Sequence, residues 1–309
     1  MKKINLLPAI IFCLIISSTC FAQTPSPIEG RWDITIDMNG KSAPGWLEVR
    51  HSGFRTLVGD VVINVGSARP ISKVNFENNK ISFSVPPQWE QGSNDLSFEG
   101  TFQNDQLSGS ITFPDGKAFN YTAVHAPLLL RTTEPVWDKS IKLFNGKDLT
   151  GWHALGDNQW LAENGVLRSP KSGANIVTDA SFTDFKLHIE FRYPKGSNSG
   201  VYLRGRYEVQ IIDSKGMQPE LGLLGAVYGF IVPSEMVAKD AGEWQTYDIT
   251  LVGRMITLVA NGKTVICNRE IPGITGGAID SKEAEGGPLL IQGDHGPIEY
   301  RNIIITPTK

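Results

Sequence analysis

An alternating run of apolar and polar residues decides the fold: Gly200-Val201-Tyr202-Leu203-Arg204-Gly205-Arg206-Tyr207-Glu208-Val209-Gln210-Ile211-Ile212-Asp213. Successive side chains of a β-strand point to opposite sides of the sheet, so Glu208 and Gln210 share one face and the apolar residues beside them share the other. The same period of two marks Leu187–Arg192 and Pro288–His295. These segments predict strands with an apolar side turned to a core and a polar side turned away from it.

The polar sides of these strands carry groups that can do chemistry. In Leu187–Arg192 the polar row consists of His188, Glu190 and Arg192, and in the opening run it contains Glu208. Rows of this kind on neighbouring strands form a polar sheet face on which carboxylates, guanidiniums and imidazoles lie close together. We expect one such face here, as a candidate site for sugar chemistry.

Composition indicates a mostly-β protein of two domains. Its 309 residues suffice for two separate cores, and 32 glycines and 18 prolines interrupt many short alternating runs. The formal net charge of −3 and a pI of about 6.0 give no electrostatic attraction to nucleic acid. We therefore expect no nucleic-acid partner.

The first 22 residues have the features of a secretory signal peptide. Lys2 and Lys3 are followed by the apolar run Leu6–Ile16 and by a small-residue cleavage site that ends at Ala22. The apolar run is too short to anchor the chain across a bilayer. We expect a secreted or periplasmic protein, with lipidation of Cys20 as the alternative.

Cysteine usage excludes two kinds of stabilisation in the mature chain. Removal of residues 1–22 leaves Cys267 as the single cysteine, so neither an internal disulfide nor a thiolate metal site can form. Because Cys267 ends the strand-like run Thr264–Cys267, we expect it to be buried and inert.

The mature chain divides into two β domains. Residues 28–125 contain about eight short strands joined by tight turns, which predicts a small antiparallel barrel or sandwich of unknown role. Residues 126–136 form a linker, and about ten strands in residues 137–307 predict a two-sheet jelly roll. Trp89, in a loop of the first domain, either stacks on a sugar or packs at an edge. The first domain is either a carbohydrate-binding module or a wall of the active-site cleft.

A series of motifs runs in order through the second domain. They are Leu143–Trp152 (LFNGKDLTGW), Asp184–Arg192, Asn198–Arg204, Tyr207–Asp213, Gly225–Gly229, Gly242–Gln245, Asn261–Lys263, Leu290–Gly296 and Tyr300–Ile303. On these motifs the domain, about residues 137–307, resembles the 3-keto-disaccharide hydrolase family, also described as 3-keto-glucoside 1,2-lyase/2-hydroxyglucal hydratase. The resemblance implies a concanavalin-like jelly roll and a glycoside substrate that carries a ketone at C3.

The implied reaction needs a base, an acid and donors for an enolate. The ketone acidifies the C2 proton, a base removes it, charge collects on the C3 oxygen and the C1 substituent leaves. Hydration of the resulting glycal would give net hydrolysis. We predict Glu208 as the base or acid and His295 as the second such group, with Arg192 or Arg204 stabilising the enolate and Glu190 as a further candidate. The predicted substrate-binding residues are Gln210, Tyr202, Asn198, Gln292, Asp213, Tyr228 and His188.

Each of these residues also has a structural interpretation. Glu190 and Arg192 are equally suited to cross-strand ion pairs, worth about 0.2–1 kcal/mol. Tyr202 and Tyr228 either stack on a sugar ring or cover the sheet edge. No cofactor is certain; Glu208, Asp213, His188 and His295 are a possible oxygen and nitrogen donor set for a divalent metal that would polarise the ketone.

Two other classes of function remain open. A non-catalytic glycan-binding jelly roll would use aromatic platforms and carboxylates only as hydrogen-bond partners. A glucanase-type glycoside hydrolase would use Glu208 and Asp213, whose spacing matches the Glu-x-Asp-x-x-Glu strand of jelly-roll glucanases although Gln210 replaces the middle Asp.

Overall fold

The computed structural model describes residues 25–309, and this part of the chain contains strands and no helix. The predicted signal peptide and Cys20 lie outside the described residues. Among residues 25–309 there is accordingly no helix that is long and apolar enough to cross a membrane.

The first eight strands form a closed antiparallel barrel in which each strand pairs with the next and β1 pairs with β8. The strands are β1 (Gly30–Met38), β2 (Lys41–Ser52), β3 (Thr56–Ile63), β4 (Val65–Glu77), β5 (Lys80–Val85), β6 (Leu96–Gln103), β7 (Gln106–Thr112) and β8 (Ala118–His125). Trp32 is fully buried, stacks on His125 at a ring distance of 3.8 Å and donates its indole N–H to the Ile28 carbonyl. Of the two predicted alternatives for this region, the barrel is observed.

The remaining strands form a two-sheet sandwich. They are β9 (Ile141–Lys142), β10 (Trp152–Ala154), β11 (Leu161–Glu163), β12 (Val166–Ser169), β13 (Ile176–Phe182), β14 (Phe185–Arg192), β15 (Asn198–Leu203), β16 (Tyr207–Ile212), β17 (Gln245–Val252), β18 (Met255–Ala260), β19 (Lys263–Glu270), β20 (Gly287–Ile291) and β21 (Ile298–Pro307). One sheet has the order β10-β13-β20-β15-β16 and the other the order β11-β12-β21-β14-β17-β18-β19, with β9 beside β21. The predicted all-β class, a small barrel ahead of a jelly-roll-type sandwich, is confirmed.

Alternation along each strand fills the space between the two sheets. Val201 and Val209 of the smaller sheet and Ile189 and Tyr247 of the larger one are fully buried in the same apolar cluster. The polar residues of both sheets therefore point outward, away from this core. The two sheets pack face to face, and stacked sheets lie about 10 Å apart. Their outer faces therefore lie on opposite sides of the sandwich.

Cys267 is exposed, so the prediction of a buried cysteine is wrong. Val265 and Ile266 are both buried although they are adjacent in β19, and the β18–β19 pairing shifts register beside them. A bulge of this kind reverses the inward and outward assignment of the residues that follow. The reversal places Cys267 on the solvent side.

The barrel packs directly against the sandwich. Trp46 of β2 is buried in the sandwich cluster, with its ring edge-on to Phe230 at 5.2 Å. A Cβ at Gly273 would lie 2.1 Å from the Trp46 indole nitrogen, so this contact requires a glycine. The amide of Gly277 also donates to the carbonyl of Asn64 at 2.8 Å. The two β units therefore share buried surface and backbone hydrogen bonds.

Candidate active site

A cavity of about 500 Å³ lies where the outer face of the smaller sandwich sheet meets the barrel. Its size falls in the usual range for small-molecule sites. Seven predicted site residues line it: Asn198, Tyr202, Glu208, Gln210, Tyr228, Gln292 and His295. The first four lie on the adjacent strands β15 and β16, where alternation turns the even-numbered residues outward.

Glu208 forms part of the floor of the cavity and is only 3% exposed. Its backbone amide donates to the hydroxyl of Thr275 at 2.9 Å. The Tyr202 hydroxyl lies 2.9 Å from Glu208 Oε2 and 3.0 Å from the Gly276 carbonyl oxygen. Since a hydroxyl has one proton, it can donate fully to only one of these acceptors at a time. A protonated Glu208 would donate to Tyr202 and leave the Tyr202 proton for Gly276.

Burial raises the pKa of Glu208 to about 8, and the neighbouring charge of Asp294 acts in the same direction. The hydrogen bond from Tyr202 and the charge of His295 lower it, but less. Desolvation dominates because an ionised carboxylate loses most of its hydration in a closed site. Glu208 can therefore exchange a proton near neutral pH, which an ordinary carboxylate does not do.

Gly200 provides the space that Glu208 occupies. It lies on β15 beside the residue pair Tyr202 and Glu208, and a Cβ at this position would lie 2.3 Å from Glu208 Oε1. Contacts under 3.0 Å are essentially absent between real Cβ atoms and their neighbours. A larger residue at position 200 would displace the carboxylate.

His295 lies at the rim of the cavity, in the turn between β20 and β21, with half of its side chain exposed. Its Nδ1 is 2.6 Å from Asp294 Oδ1, and this hydrogen bond raises the pKa of the imidazole, with partial burial opposing the shift. The pairing stabilises the imidazolium and orients the ring. The cavity thus holds a carboxyl group and an imidazole whose pKa values are both raised.

Two amide side chains offer unused hydrogen-bonding capacity to a ligand. The Oδ1 of Asn198 and the Oε1 of Gln292 are buried and have no partner, and both residues line the cavity. Unpartnered buried polar atoms are uncommon in folded proteins. Because these two oxygens line the cavity, they can accept hydrogen bonds from a ligand there. Gln210 differs, because its amide is tied to local backbone at Gly222 and Ile211.

Arg192, Glu190 and His188 do not belong to this cavity, which corrects the prediction of one shared polar face. All three lie on β14, a strand of the larger sheet, and so point to the opposite side of the sandwich. Arg192 Nε pairs with Glu299, and its guanidinium lies 4.7 Å from the Trp244 ring centre. Period-two alternation shows which residues of one strand share a face, but not which sheet that strand joins.

The partners of Glu190 and His188 are likewise on neighbouring strands. Glu190 accepts hydrogen bonds from Arg301 at 2.6 Å and from Asn302 at 2.7 Å. His188 Nδ1 lies 2.7 Å from Asp248 Oδ1. These contacts join neighbouring strands of the larger sheet, as the alternative of cross-strand ion pairs predicts for Glu190.

Arg204 is also outside the cavity, contrary to its predicted role beside Glu208. It lies in the turn after β15 with a φ of 55° and is 1% exposed. Its guanidinium donates to the Tyr207 hydroxyl at 2.7 Å, and Tyr207 in turn donates to Glu283. The turn directs the Arg204 side chain toward Tyr207 and the Glu283 carbonyl, where it contributes to a buried ionic network.

Asp213 does not face the cavity with Glu208. It accepts a hydrogen bond from the Gly196 amide at 2.9 Å and thereby closes the loop between β14 and β15. An odd spacing of five residues places two side chains on opposite faces of an unbulged strand, and the β15–β16 register is continuous. The glucanase-like pairing of Glu208 with Asp213 is therefore not formed.

The predicted metal donors are dispersed in the same way. Glu208 and His295 line the cavity, Asp213 closes a loop and His188 lies on the larger sheet. Within residues 25–309 no group of three or more His, Cys, Asp or Glu side chains is arranged to hold a metal ion.

Sequence reasoning missed several lining residues. Asn175 follows a loop glycine-alanine pair, and its side chain accepts a hydrogen bond from the Gly293 amide, which supports the turn that carries His295. Asp294, which pairs with His295 and lines the cavity, was not predicted as a site residue. Gln88 of the barrel was not predicted either, whereas Trp89 beside it, expected to stack on a sugar or to pack at an edge, lines the cavity.

The fold and the cavity define a class: a two-sheet β-sandwich whose smaller sheet carries a buried carboxyl group and unpartnered amides on its outer face. Residues 139–306, more than half of the chain, match the family described as the 3-keto-alpha-glucoside-1,2-lyase-like domain. The chain belongs to this family, as the motifs of the second domain predict.

Similar proteins include one curated relative and several solved structures. The "3-keto-disaccharide hydrolase" of Bacteroides thetaiotaomicron is 30% identical over 91 residues, which are 25% of this chain and 30% of that protein. The match thus spans less than a third of the length of that relative. A candidate glycosyl hydrolase of Parabacteroides distasonis is 28% identical with a TM-score of 0.48, covering 57% of this chain and 92% of that one. The carbohydrate-binding module CBM66 of Bacillus subtilis is 13% identical with a TM-score of 0.35, covering 51% and 96%.

Proposed function

We propose that this protein cleaves 3-keto-glucosides by elimination. In the proposed step the C2–H bond breaks and its proton passes to a base, the C1=C2 double bond forms, and the C1–O bond breaks. The leaving oxygen takes up a proton, so atoms and charge balance. The observation that carries the proposal is the desolvated Glu208 in a cavity of ligand size, within the domain that belongs to the lyase-like family.

Glu208 is the proposed base. A base is most effective when its pKa lies near the operating pH, and burial raises the pKa of Glu208 from the ordinary carboxyl range to about 8. A positioned base contributes about 10²–10⁴-fold to the rate. Tyr202 orients the carboxyl group of Glu208. Its hydroxyl can donate to Glu208 when that group is ionised, and to the Gly276 carbonyl when Glu208 is protonated.

His295 is the proposed acid for the leaving group. Its pairing with Asp294 raises the pKa of the imidazole, so the cationic, proton-donating form is populated close to neutral pH. Its position at the exposed rim suits a group that must reach the substituent on C1, which projects away from the floor.

Neutral donors are proposed to stabilise the enolate, in place of the arginines expected from the sequence. Asn198, Gln292 and Tyr228 line the cavity. The proposed donors are the side-chain NH2 groups of the two amides and the hydroxyl of Tyr228, since the amide oxygens can only accept. A well-aimed donor to a developing oxyanion is worth about 10²–10³-fold in rate. Addition of water to the product at C1 would convert the elimination to net hydrolysis, and we propose that the same cavity admits that water.

The test follows a 3-keto-disaccharide and its unoxidised parent by NMR in heavy water. We expect cleavage of the keto compound alone, with loss of the C2 proton in the glycal and deuterium at C2 of the product to which water has added. Turnover should fall by about 10²-fold or more in Glu208→Gln. Glu77→Gln, an exposed glutamate at the end of β4, serves as the matched control and should retain full activity.

Other outcomes would overturn the proposal in distinct ways. Cleavage of the unoxidised parent would favour glycosidase chemistry. Sugar binding by wild type without turnover of either compound would favour a glycan-binding module. Undiminished turnover in Glu208→Gln would remove Glu208 from the mechanism.

Export of the protein is proposed from residues 1–22. Cleavage after Ala22 would give a periplasmic or secreted protein whose N-terminal residue is Gln23. Lipidation of Cys20 would instead place the protein in the membrane fraction. N-terminal sequencing of the protein recovered from each fraction separates these outcomes.

A further inference from the structure

The barrel supplies one wall of the cavity that holds Glu208. Four barrel residues line it, namely Val65, Gly66, Gln88 and Trp89. Trp89 is 40% exposed although it is a large aromatic residue, and its indole N–H donates to the Val65 carbonyl at 2.9 Å. The ring is therefore held in place while a substantial part of its surface stays accessible.

The loop that carries Trp89 is fixed by a buried ion pair. Glu90 accepts hydrogen bonds from the amides of Gln88 at 2.9 Å and Trp89 at 3.2 Å. The same carboxylate pairs with Arg69 at 2.9 Å, and the two side chains are 2% and 7% exposed. Gln88 in turn accepts a hydrogen bond from the Ser67 amide at 3.0 Å. A loop anchored at this many points presents its aromatic ring in one orientation.

Backbone contacts fix this wall relative to the sandwich. A Cβ at Gly276 would lie 2.1 Å from the Gly66 carbonyl oxygen, and the Gly277 amide donates to Asn64 at 2.8 Å. Gly276 also provides the carbonyl that accepts from Tyr202, the partner of Glu208. The aromatic wall and the reactive floor are therefore connected through one short segment, residues 276–277.

We propose that this barrel wall, residues 65–66 and 88–89, is the binding subsite for the group that leaves from C1, and that this group is a second sugar ring packed on Trp89. The inference rests on the proposed function. The reacting ring must bring C2 to Glu208 on the floor, and C1 is bonded to C2. The barrel wall joins this floor through Gly276 and lines the same cavity, so the C1 substituent can lie against it.

The chemistry of the wall favours a sugar as the occupant. One face of a pyranose ring carries mainly C–H groups, and an exposed indole ring offers a flat apolar surface of matching size. A small alkyl leaving group would leave most of that surface uncovered. The protein would therefore prefer 3-keto-disaccharides to 3-keto-glucosides that have a small leaving group.

The test compares a 3-keto-disaccharide with a methyl 3-keto-glucoside on wild type, Trp89→Ala and Trp89→Phe. We expect Trp89→Ala to raise KM for the disaccharide about tenfold or more while changing KM for the methyl compound less than about threefold. Trp89→Phe, which retains a flat ring, should recover most of the disaccharide affinity. Phe54→Ala, which removes an exposed aromatic of the same barrel outside the cavity, should change neither.

Equal losses on both substrates would assign Trp89 a purely structural role and overturn the subsite, as would no loss on either. Calorimetric titration of the disaccharide into Glu208→Gln, with and without Trp89→Ala, measures the contribution of Trp89 to binding affinity independently of turnover. If wild type turns over neither substrate but Trp89→Ala still weakens disaccharide binding, the proposed reaction fails and the subsite stands. If Glu208→Gln binds neither sugar, the subsite fails as well.

Discussion

At the scale of single residues, the site depends on a carboxyl group that the fold deprives of water. Glu208 is 3% exposed and has a pKa of about 8, while the exposed carboxylates of the same chain have no such environment. Desolvation lowers the stability of the ionised form and raises its basicity together. Reactivity at this residue is thus a consequence of its burial in the cavity floor.

The Gly200→Ala variant tests how closely the carboxyl group is held. The added methyl group would collide with Glu208 Oε1, and we expect kcat to fall about 10²-fold because a displaced base loses most of its effect. Gly222→Ala is the matched control, since its Cβ would meet only the Tyr228 ring at 3.8 Å. Steady-state kinetics of both variants provide the measurement. A full kcat in Gly200→Ala would mean that the position of the carboxyl group is not critical.

At the scale of elements, the β15–β16 hairpin carries the site on one face and rests on a buried ionic network at its turn. Arg254 donates to Glu283 at 3.1 and 2.5 Å, with both side chains almost completely buried. Tyr207, the first residue of β16, donates to the same carboxylate, and Arg204 donates to Tyr207. The arginine of the hairpin turn thus supports the strand that holds Glu208 without touching a ligand.

Removal of one member of this network should destabilise the fold. Arg254→Ala leaves the Glu283 carboxylate buried without its ion-pair partner, and we expect a loss of about 3–5 kcal/mol in the free energy of unfolding. Arg269→Ala, at an exposed position of β19, should change it by less than about 0.5 kcal/mol. Chemical denaturation of both variants measures the difference. Equal stabilities would show that the ion pair contributes nothing.

At the scale of the whole molecule, the same network extends across the contact between barrel and sandwich. Asp33 of β1 is 6% exposed and lies close enough to Glu283 for that carboxyl group to act on its pKa. Burial raises the pKa of Asp33, the charge of Glu283 adds to this, and Arg254 and Arg206 oppose it. Two adjacent buried carboxyl groups are most stable when they share one proton. The interface therefore holds a proton that the unfolded chain releases at lower pH.

This linkage gives a stability prediction with a defined sign. The pKa of Asp33 is higher in the folded protein than in the unfolded chain. Protonated Asp33 therefore contributes fully to the free energy of unfolding at pH values below the unfolded-state pKa. This contribution is lost as the pH rises from the unfolded-state pKa through the folded-state pKa. Asp33→Asn removes the titrating group and retains a donor for Glu283. We expect its melting temperature to exceed that of wild type by a margin that grows between pH 5 and pH 8. A margin independent of pH would contradict this assignment.

Much of the fold and part of the site followed from local patterns. Glu208 and Gln210 were expected to share one face, because successive strand residues alternate, and the structure places both on the cavity side of β16. Tyr202 joins them there because the β15–β16 register pairs it with Glu208. Asn198, Gln292 and His295 also lie at the cavity as the motifs suggested. Arg192 and Arg204 do not, since neither the sheet joined by β14 nor the direction of a turn side chain is encoded in alternation.

The amino-acid sequence by itself determined the all-β class, the order of the strands and the residues that share a face within each strand, since these depend on a period of two and on turn residues a few positions apart. Only the tertiary structure decided which strands became neighbours and what covered them. It placed β14 and β16 in different sheets, and it brought Trp89 of the barrel into the cavity that holds Glu208. Such contacts join residues more than a hundred positions apart, and they arise from the packing of whole sheets rather than from any local preference.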